Sequence, residues 1–446
     1  MNGRAAGAAL LRALRHRRGL SLSGTARALL AIAAELHQPR SAFPSVASVQ
    51  RCVARWESRT PALPDERYQL LLAHLYARTP AGQVALGAGS DFAEFLQALA
   101  DFGEGEARIS ELRSLMVRAA TDSGGGMLAF LAPGLQATLS TALADPSRTD
   151  EATVAGLAAV VSDVNSQVGS LPFVRLQLIL SPAVEACRQL RLGGVPEPVV
   201  PALREASVAA SMLAGRLAFE TRDDAASCAL YAEATGEAER LGQPWRRACV
   251  DMSHALVTLY SAQGLEDARR LVDSAVCAAR SGDSLLVRSR AHALQAELAA
   301  RAGFERQAQA ALRLAWHDLD ADHTEDPMPT SFSPAHLHGF EGVCQLYIGD
   351  PSIAHAQFAS AVDALAAPRE HVQRAIVTTD QALARIRLGD PRAAAELLHD
   401  CVTAASTTGG RVPALRLRRA RNELRPWRRE DFVAALDDHL MDVLGS

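Results

Sequence analysis

Between residues 203 and 410 one pattern returns five times, and few folds accommodate it. A small residue is followed four positions later by a larger one and three positions after that by another small one. The five instances are Ser227, Tyr231 and Ala234; Ala268, Val272 and Ala275; Ala308, Leu312 and Ala315; Ala354, Phe358 and Ala361; and Ala394, Leu398 and Cys401. Their starting positions, 227, 268, 308, 354 and 394, are nearly evenly spaced. Twelve residues upstream of each unit stands a further small residue in four cases, Gly215, Ala296, Gly342 and Ala382, with Leu256 the exception. Steps of four and three keep a trio on one helix face. Turn residues lie between the two positions, as in QGLED, AGFER, IGDPS and LGDPR. Two antiparallel helices joined by a tight turn approach closely only where side chains are small, and the larger residue is left to fill the space against the next pair. One pair cannot bury its face alone, so pairs stack.

This pattern resembles the tetratricopeptide repeat, with units longer than that repeat's usual length of about 34 residues. The rest of the chain also reads as helix, so the expected class is all-α. An N-terminal helix-turn-helix domain occupies residues 1–80, a helical connecting region 81–202, tetratricopeptide-like repeats 203–410 and capping helices 411–446. The glycine run at 124–126 lacks the Lys-Ser/Thr of a phosphate loop and reads as a helix break.

Residues 1–80 differ in charge from everything after them. They hold 12 Arg and only four acids, Glu35, Glu57, Asp65 and Glu66, a balance of +8 in a chain whose net charge is -4. A basic module joined to an acidic one points to a polyanion partner for the first, since phosphate contacts supply much of nucleic-acid affinity. Four short helices are expected here: one ending at Gly19, one capped by Ser21, one capped by Ser45 and running to about Glu57, and one starting at Pro64-Asp65 with Leu71, Leu72, Leu75 and Tyr76 on its apolar face. The third is unlike the rest of this Ala/Leu-rich chain. In SVASVQRCVARWESRTP, residues Ser45, Ser48, Arg51, Cys52 and Arg55 share one broad face with Gln50 at its shoulder, while Val49, Val53 and Trp56 take the other side and read as packing residues. Gln and Arg are the side chains that bond adenine and guanine in bidentate fashion from a helix in the major groove.

The stretch resembles the phage-repressor-like (XRE) family of helix-turn-helix regulators, whose recognition helix ends in an Arg/Lys-Trp-Glu signature before a Gly and a Pro. Here these are Arg55, Trp56 and Glu57, with Pro61 following. The resemblance covers about residues 8–78. Leu22 stands where the family often has a phosphate-clamping Gln, Ser58 and Arg59 replace the Gly, and the loop ELHQPRSAFP is longer than the usual turn. Taken whole, the chain resembles actinobacterial regulators that join such a head to a tetratricopeptide body.

The resemblance implies a cytoplasmic, homodimeric transcriptional regulator that binds double-stranded DNA. The DNA contacts fall to Arg40, Ser45, Ser48, Gln50, Arg51 and Arg55, with Arg40 and Arg55 on phosphates. The repeat groove takes a peptide, small-molecule or protein effector. The alternative is a tetratricopeptide-type interaction scaffold with a degenerate head, which Leu22 favours and the +8 charge opposes.

Other chemistries find no support. No GxSxG, HExxH or phosphate-loop motif occurs, so neither an enzyme nor a cofactor is expected. The seven Cys are scattered without a CxxC pair and read as reduced core residues. WHDLDADHTEDP gathers Asp318, Asp320, Asp322 and Glu325, but a calcium loop needs Gly at its sixth position and Glu at its twelfth, where this chain has His323 and Pro329. It reads as a solvated inter-repeat loop without a metal. No signal peptide or membrane span is expected. The stretch 411–429 holds eight Arg and reads either as a capping helix with a solvated face or as a further DNA contact.

Overall fold

The computed structural model describes residues 3–36, 45–78, 90–121, 131, 133–261, 264–329, 332–365 and 370–444. Among them there are helices and no strands, so the chain is all-α. The 124–126 glycines lie outside the described residues. No described helix is long and apolar enough to cross a membrane. Two compact units are distinguished: Met1–Val160 with Gln177–Val200, and Val161–Leu176 with Pro201–Ser446.

The first unit opens with α1 (Gly3–Arg17), α2 (Leu22–Glu35), α3 (Val46–Trp56), α4 (Glu66–Ala77), α5 (Asp91–Phe102) and α6 (Glu106–Thr121). Ser21 and Asp65 cap α2 and α4, accepting from the amides of Gly24 and Tyr68. One apolar cluster runs from Ala8 on α1 through all six helices to Met116, so the boundary expected at residue 80 falls inside a continuous core. α4 is central to it. Beyond the expected face of Leu71, Leu72 and Tyr76, its Tyr68, Gln69, Leu70, Ala73 and His74 are buried as well. Gln69 is satisfied there by the Pro64 carbonyl, Glu104 and Arg108. α1 and α5 meet closely at Gly7: a Cβ there would stand 2.6 Å from the Ala98 carbonyl oxygen and 2.7 Å from the Phe102 ring. The unit continues through α7 (Pro133–Ala144) and into α8 (Glu151–Ser166) and α9 (Phe173–Leu192).

The second unit is built on five helix pairs. These are α10 (Val200–Glu220) with α11 (Asp224–Leu241), α12 (Pro244–Leu259) with α13 (Gly264–Arg280), α14 (Leu285–Arg301) with α15 (Glu305–Leu319), α16 (Pro334–Ile348) with α17 (Pro351–Ala364), and α18 (His371–Arg387) with α19 (Pro391–Thr408). Connections this short fold each pair back on itself. Asp350 and Asp390 make two of the turns: each caps the next helix with its carboxylate and is followed by a proline suited to the first helical position.

The five trios fall on α11, α13, α15, α17 and α19, and every member is buried except Leu312, which is half-buried. The small residues upstream sit opposite on the partner helix. A Cβ on Gly342 would meet the Phe358 ring at 2.6 Å, one on Gly215 would meet the Tyr231 ring at 3.0 Å, and Ser227 Oγ donates to the Gly215 carbonyl at 2.8 Å. In these two pairs the larger residue, Tyr231 or Phe358, therefore packs within its own pair, a contact the sequence reading did not include. Tyr231 also reaches the next pair, where its hydroxyl lies 2.8 Å from Ser253 Oγ and its ring stacks on His254.

Two expectations for this unit are corrected. The acids of WHDLDADHTEDP are not all solvated: Asp318 is buried and takes both arms of Arg288 at 2.9 and 2.7 Å, and Asp326 accepts from Ser284 Oγ and the Leu286 amide at the start of α14. The seven Cys are free, but Cys228 and Cys277 are exposed rather than in the core.

After the pairs come α20 (Arg411–Glu423) and α21 (Asp431–Leu444). The arginine face of α20 is not simply solvated. Arg411 pairs with Asp224, Arg416 with Asp380 and Arg421 with Asp437. Leu417 and Leu424 are buried, and Leu415 is half-buried.

Candidate nucleic-acid interface

α3 carries two faces of opposite character because its apolar residues recur at helical spacing. Val49, Val53 and Trp56 are buried in the first unit's core. Trp56 sets its ring edge-on to Tyr68 of α4, with centroids 5.0 Å apart. Glu57, which ends the helix, is 7% exposed and holds Arg15 of α1 through two hydrogen bonds, Nε to Oε1 at 2.8 Å and Nη2 to Oε2 at 2.7 Å. Arg15 also donates to the Leu20 carbonyl at 2.9 Å, and Arg12 donates to the carbonyl of Glu57. The Trp-Glu pair is thus a two-sided anchor, apolar toward α4 and ionic toward α1. The Ser58 hydroxyl shapes the exit, lying 2.9 Å from the carbonyl oxygens of both Arg55 and Thr60.

The outward face holds most of the sequence-predicted contacts. Ser45, Arg51 and Arg55 are exposed, and Ser48 and Gln50 are half-buried at its flanks. Arg40 lies outside the described residues. Ser45 stands at the N-cap position, but its side chain makes no cap hydrogen bond, in contrast to Ser21 and Asp65. Its hydroxyl is a donor at the positive end of a helix dipole, a place suited to phosphate. Cys52 is misplaced by the sequence reading: it is half-buried and packs against the core. The polar residues around it in the chain hide that it follows Val49 by three positions and precedes Trp56 by four, which puts it on their side of the helix.

The charge of the region is distributed unevenly. Arg12 and Arg15 are taken up by Glu57, Arg17 and Arg18 by Asp91 and Glu94 of α5, and Arg78 by Glu35. Arg4, Arg27, Arg51, Arg55 and Arg59 are exposed, and among the described residues no carboxylate pairs with them. Three of these five are on or just beyond α3, which itself contains no acid. Most of the exposed, unpaired positive charge among the described residues of this region is therefore on or just beyond α3.

Three further exposed residues accompany the expected ones. Ala47 and Ala54 are exposed on the same face as Arg51, at steps of four and three. Alanine there leaves the helix axis free to approach a flat partner, and its methyl matches the thymine methyl in apolar contact. Arg27 adds an exposed guanidinium on α2. Helical spacing alone could have found the alanines; Arg27 gives no local signal.

Comparison of the chain with protein-family models, with curated proteins and with solved structures finds no match.

Proposed function

We propose that this chain is a sequence-specific DNA-binding transcriptional regulator. In this reading α2 and α3 act as a helix-turn-helix, with α3 in the major groove. The observation that carries it is the polarity of α3: one side is fixed by Trp56 and Glu57, and the other presents Arg51 and Arg55, which no carboxylate pairs with among the described residues. A helix that reads bases needs rigid backing and unpaired donors in front. Gln50 and Arg51 are the base readers. Arg55, Arg59, Arg27 and the Ser45 end of the helix bind phosphate.

The five helix pairs serve as a tetratricopeptide-type array that senses an effector. One short helix reads only a few base pairs, so the working form is a homodimer on paired half-sites.

The test is retardation of the fragment upstream of the protein's own gene against random duplex at moderate salt. The regulator reading requires preference for that fragment and affinity that falls steeply with salt, by roughly 0.9 logarithmic units per phosphate contact for each tenfold rise in salt. Equal and weak retardation of both duplexes would leave the array as an interaction scaffold.

A further inference from the structure

α20 lies across the helix pairs instead of merely following them. At its start the Val412 amide donates to Glu220 Oε2 at 3.0 Å, at the end of α10, and Arg411 pairs with Asp224. Further along, Arg416 pairs with Asp380 of α18 and lies over the Tyr260 ring, while Arg419 lies over the Tyr347 ring at the end of α16. Under this helix is a cavity of about 270 Å³.

Its polar lining is Tyr260, Arg301, Asp380, Arg416 and Arg419. Two atoms here are shielded from solvent and, among the described residues, have no hydrogen-bond partner, the Tyr260 hydroxyl and Arg416 Nε. Buried donors left this way are costly and call for a partner. Burial holds the Tyr260 phenol in its protonated, donating form by raising its pKa. Arg301 is bound to Glu297 at 2.7 Å and donates to the Tyr347 hydroxyl at 2.6 Å, Asp380 holds Arg416, and the exposed Arg419 lies over the Tyr347 ring. Glu297 and Asp380 balance Arg301 and Arg416, so the single positive charge in excess is that of Arg419 at the exposed edge of the cavity. The remaining walls are leucine, Leu259, Leu383 and Leu415.

We infer that this cavity binds a small amphipathic monocarboxylate. Its two oxygens accept from Tyr260 Oη and Arg416 Nε, its charge cancels the one in excess, and its short apolar body rests on the three leucines. A phosphate dianion would exceed the charge. The volume lies just under that of sites for drug-sized ligands, which limits the body to a short chain. This gives a chemistry to the effector of the proposed regulator and rests on that reading only for its regulatory meaning.

Calorimetric titration of the full chain without DNA, using butanoate, hexanoate and octanoate, with hexanamide as the uncharged control, tests it. At least one carboxylate should bind saturably with one site per chain, and hexanamide at least about tenfold more weakly than hexanoate. Tyr260→Phe removes one donor without disturbing any existing bond and should weaken binding at least about tenfold with the melting temperature kept. Leu415→Trp should fill the cavity and abolish binding while the helical circular dichroism is retained. The inference is overturned if no carboxylate binds saturably at millimolar concentration, or if both substitutions leave the affinity unchanged. Because no DNA is present, loss of this site does not touch the DNA-binding reading, and failure of that reading leaves the titration interpretable.

Discussion

Arg15 and Glu57 form a two-pronged ion pair that ties the end of α1 to the end of α3, with donor–acceptor distances of 2.8 and 2.7 Å. Removing one member of such a pair strands the other in a poorly solvated place. Glu57→Ala is expected to destabilise the first unit by about 3 kcal/mol, the low end for a buried pair because Arg15 keeps the Leu20 carbonyl. Hydrogen exchange of the α1 and α3 amides measures this. Protection equal to that of the parent chain would show that the pair contributes nothing.

Trp56 supports the same helix from the other side. Trp56→Ala removes a fully packed ring from contact with Tyr68 and is expected to cost about 3–5 kcal/mol in the first unit. Exchange in α3 and α4 should accelerate together, with the second unit's helices unaffected.

The outward residues should divide by role when titrated against operator and random duplex side by side. Gln50→Ala and Arg51→Ala are expected to narrow the gap between the two affinities by about 1–3 kcal/mol. Arg55→Ala and Arg27→Ala should weaken both duplexes alike and lower the salt dependence by about one ion each. If neither of the first two changes narrows the gap while the unit stays folded, α3 does not read bases.

His74 predicts an acid limit on stability. Burial, aided by Arg78 and opposed by Glu35, lowers its pKa from 6.5 to about 4. The unfolded chain therefore takes up the proton first. Stability is full above about pH 6.5, falls as the pH drops toward 4, and levels off below that. The loss amounts to up to about 3 kcal/mol. Chemical denaturation of the first unit across this range should show the slope, and His74→Leu should remove it.

Gly342 faces Phe358 with no room for a methyl group. Gly342→Ala is expected to destabilise the second unit by about 1–3 kcal/mol through overpacking. Adding Phe358→Leu should recover part of that loss, and strictly additive melting shifts would show that the two positions do not meet.

The features legible in the sequence are those that repeat along one helix. The trios from Ser227 to Cys401 fall on five successive second helices, and Val49, Val53 and Trp56 are the buried side of α3. What stayed hidden depends on contacts distant in the chain. Asp91 and Glu94 neutralise Arg17 and Arg18 from beyond the expected boundary, so a charge count that stops at that boundary overstates the free charge. Gly7 looks like an ordinary weak point in an Ala-rich helix until α5 is placed against it. Ser45 has the right type and position for a cap, but the geometry at the start of α3 leaves its side chain unused for that purpose.

The reach of α20 has a consequence for how the second unit is made. A row of repeats that touch only their neighbours can fray from either end and can begin to fold as soon as the first repeats leave the ribosome. Here the Val412 amide meets Glu220 across 192 residues of chain, and Arg411 meets Asp224 across 187. Closing contacts of that separation slows folding and makes loss of one end felt at the other. The earliest pair is synthesised well before its last partner exists, so the nascent unit must wait, incompletely covered, until α20 has been translated.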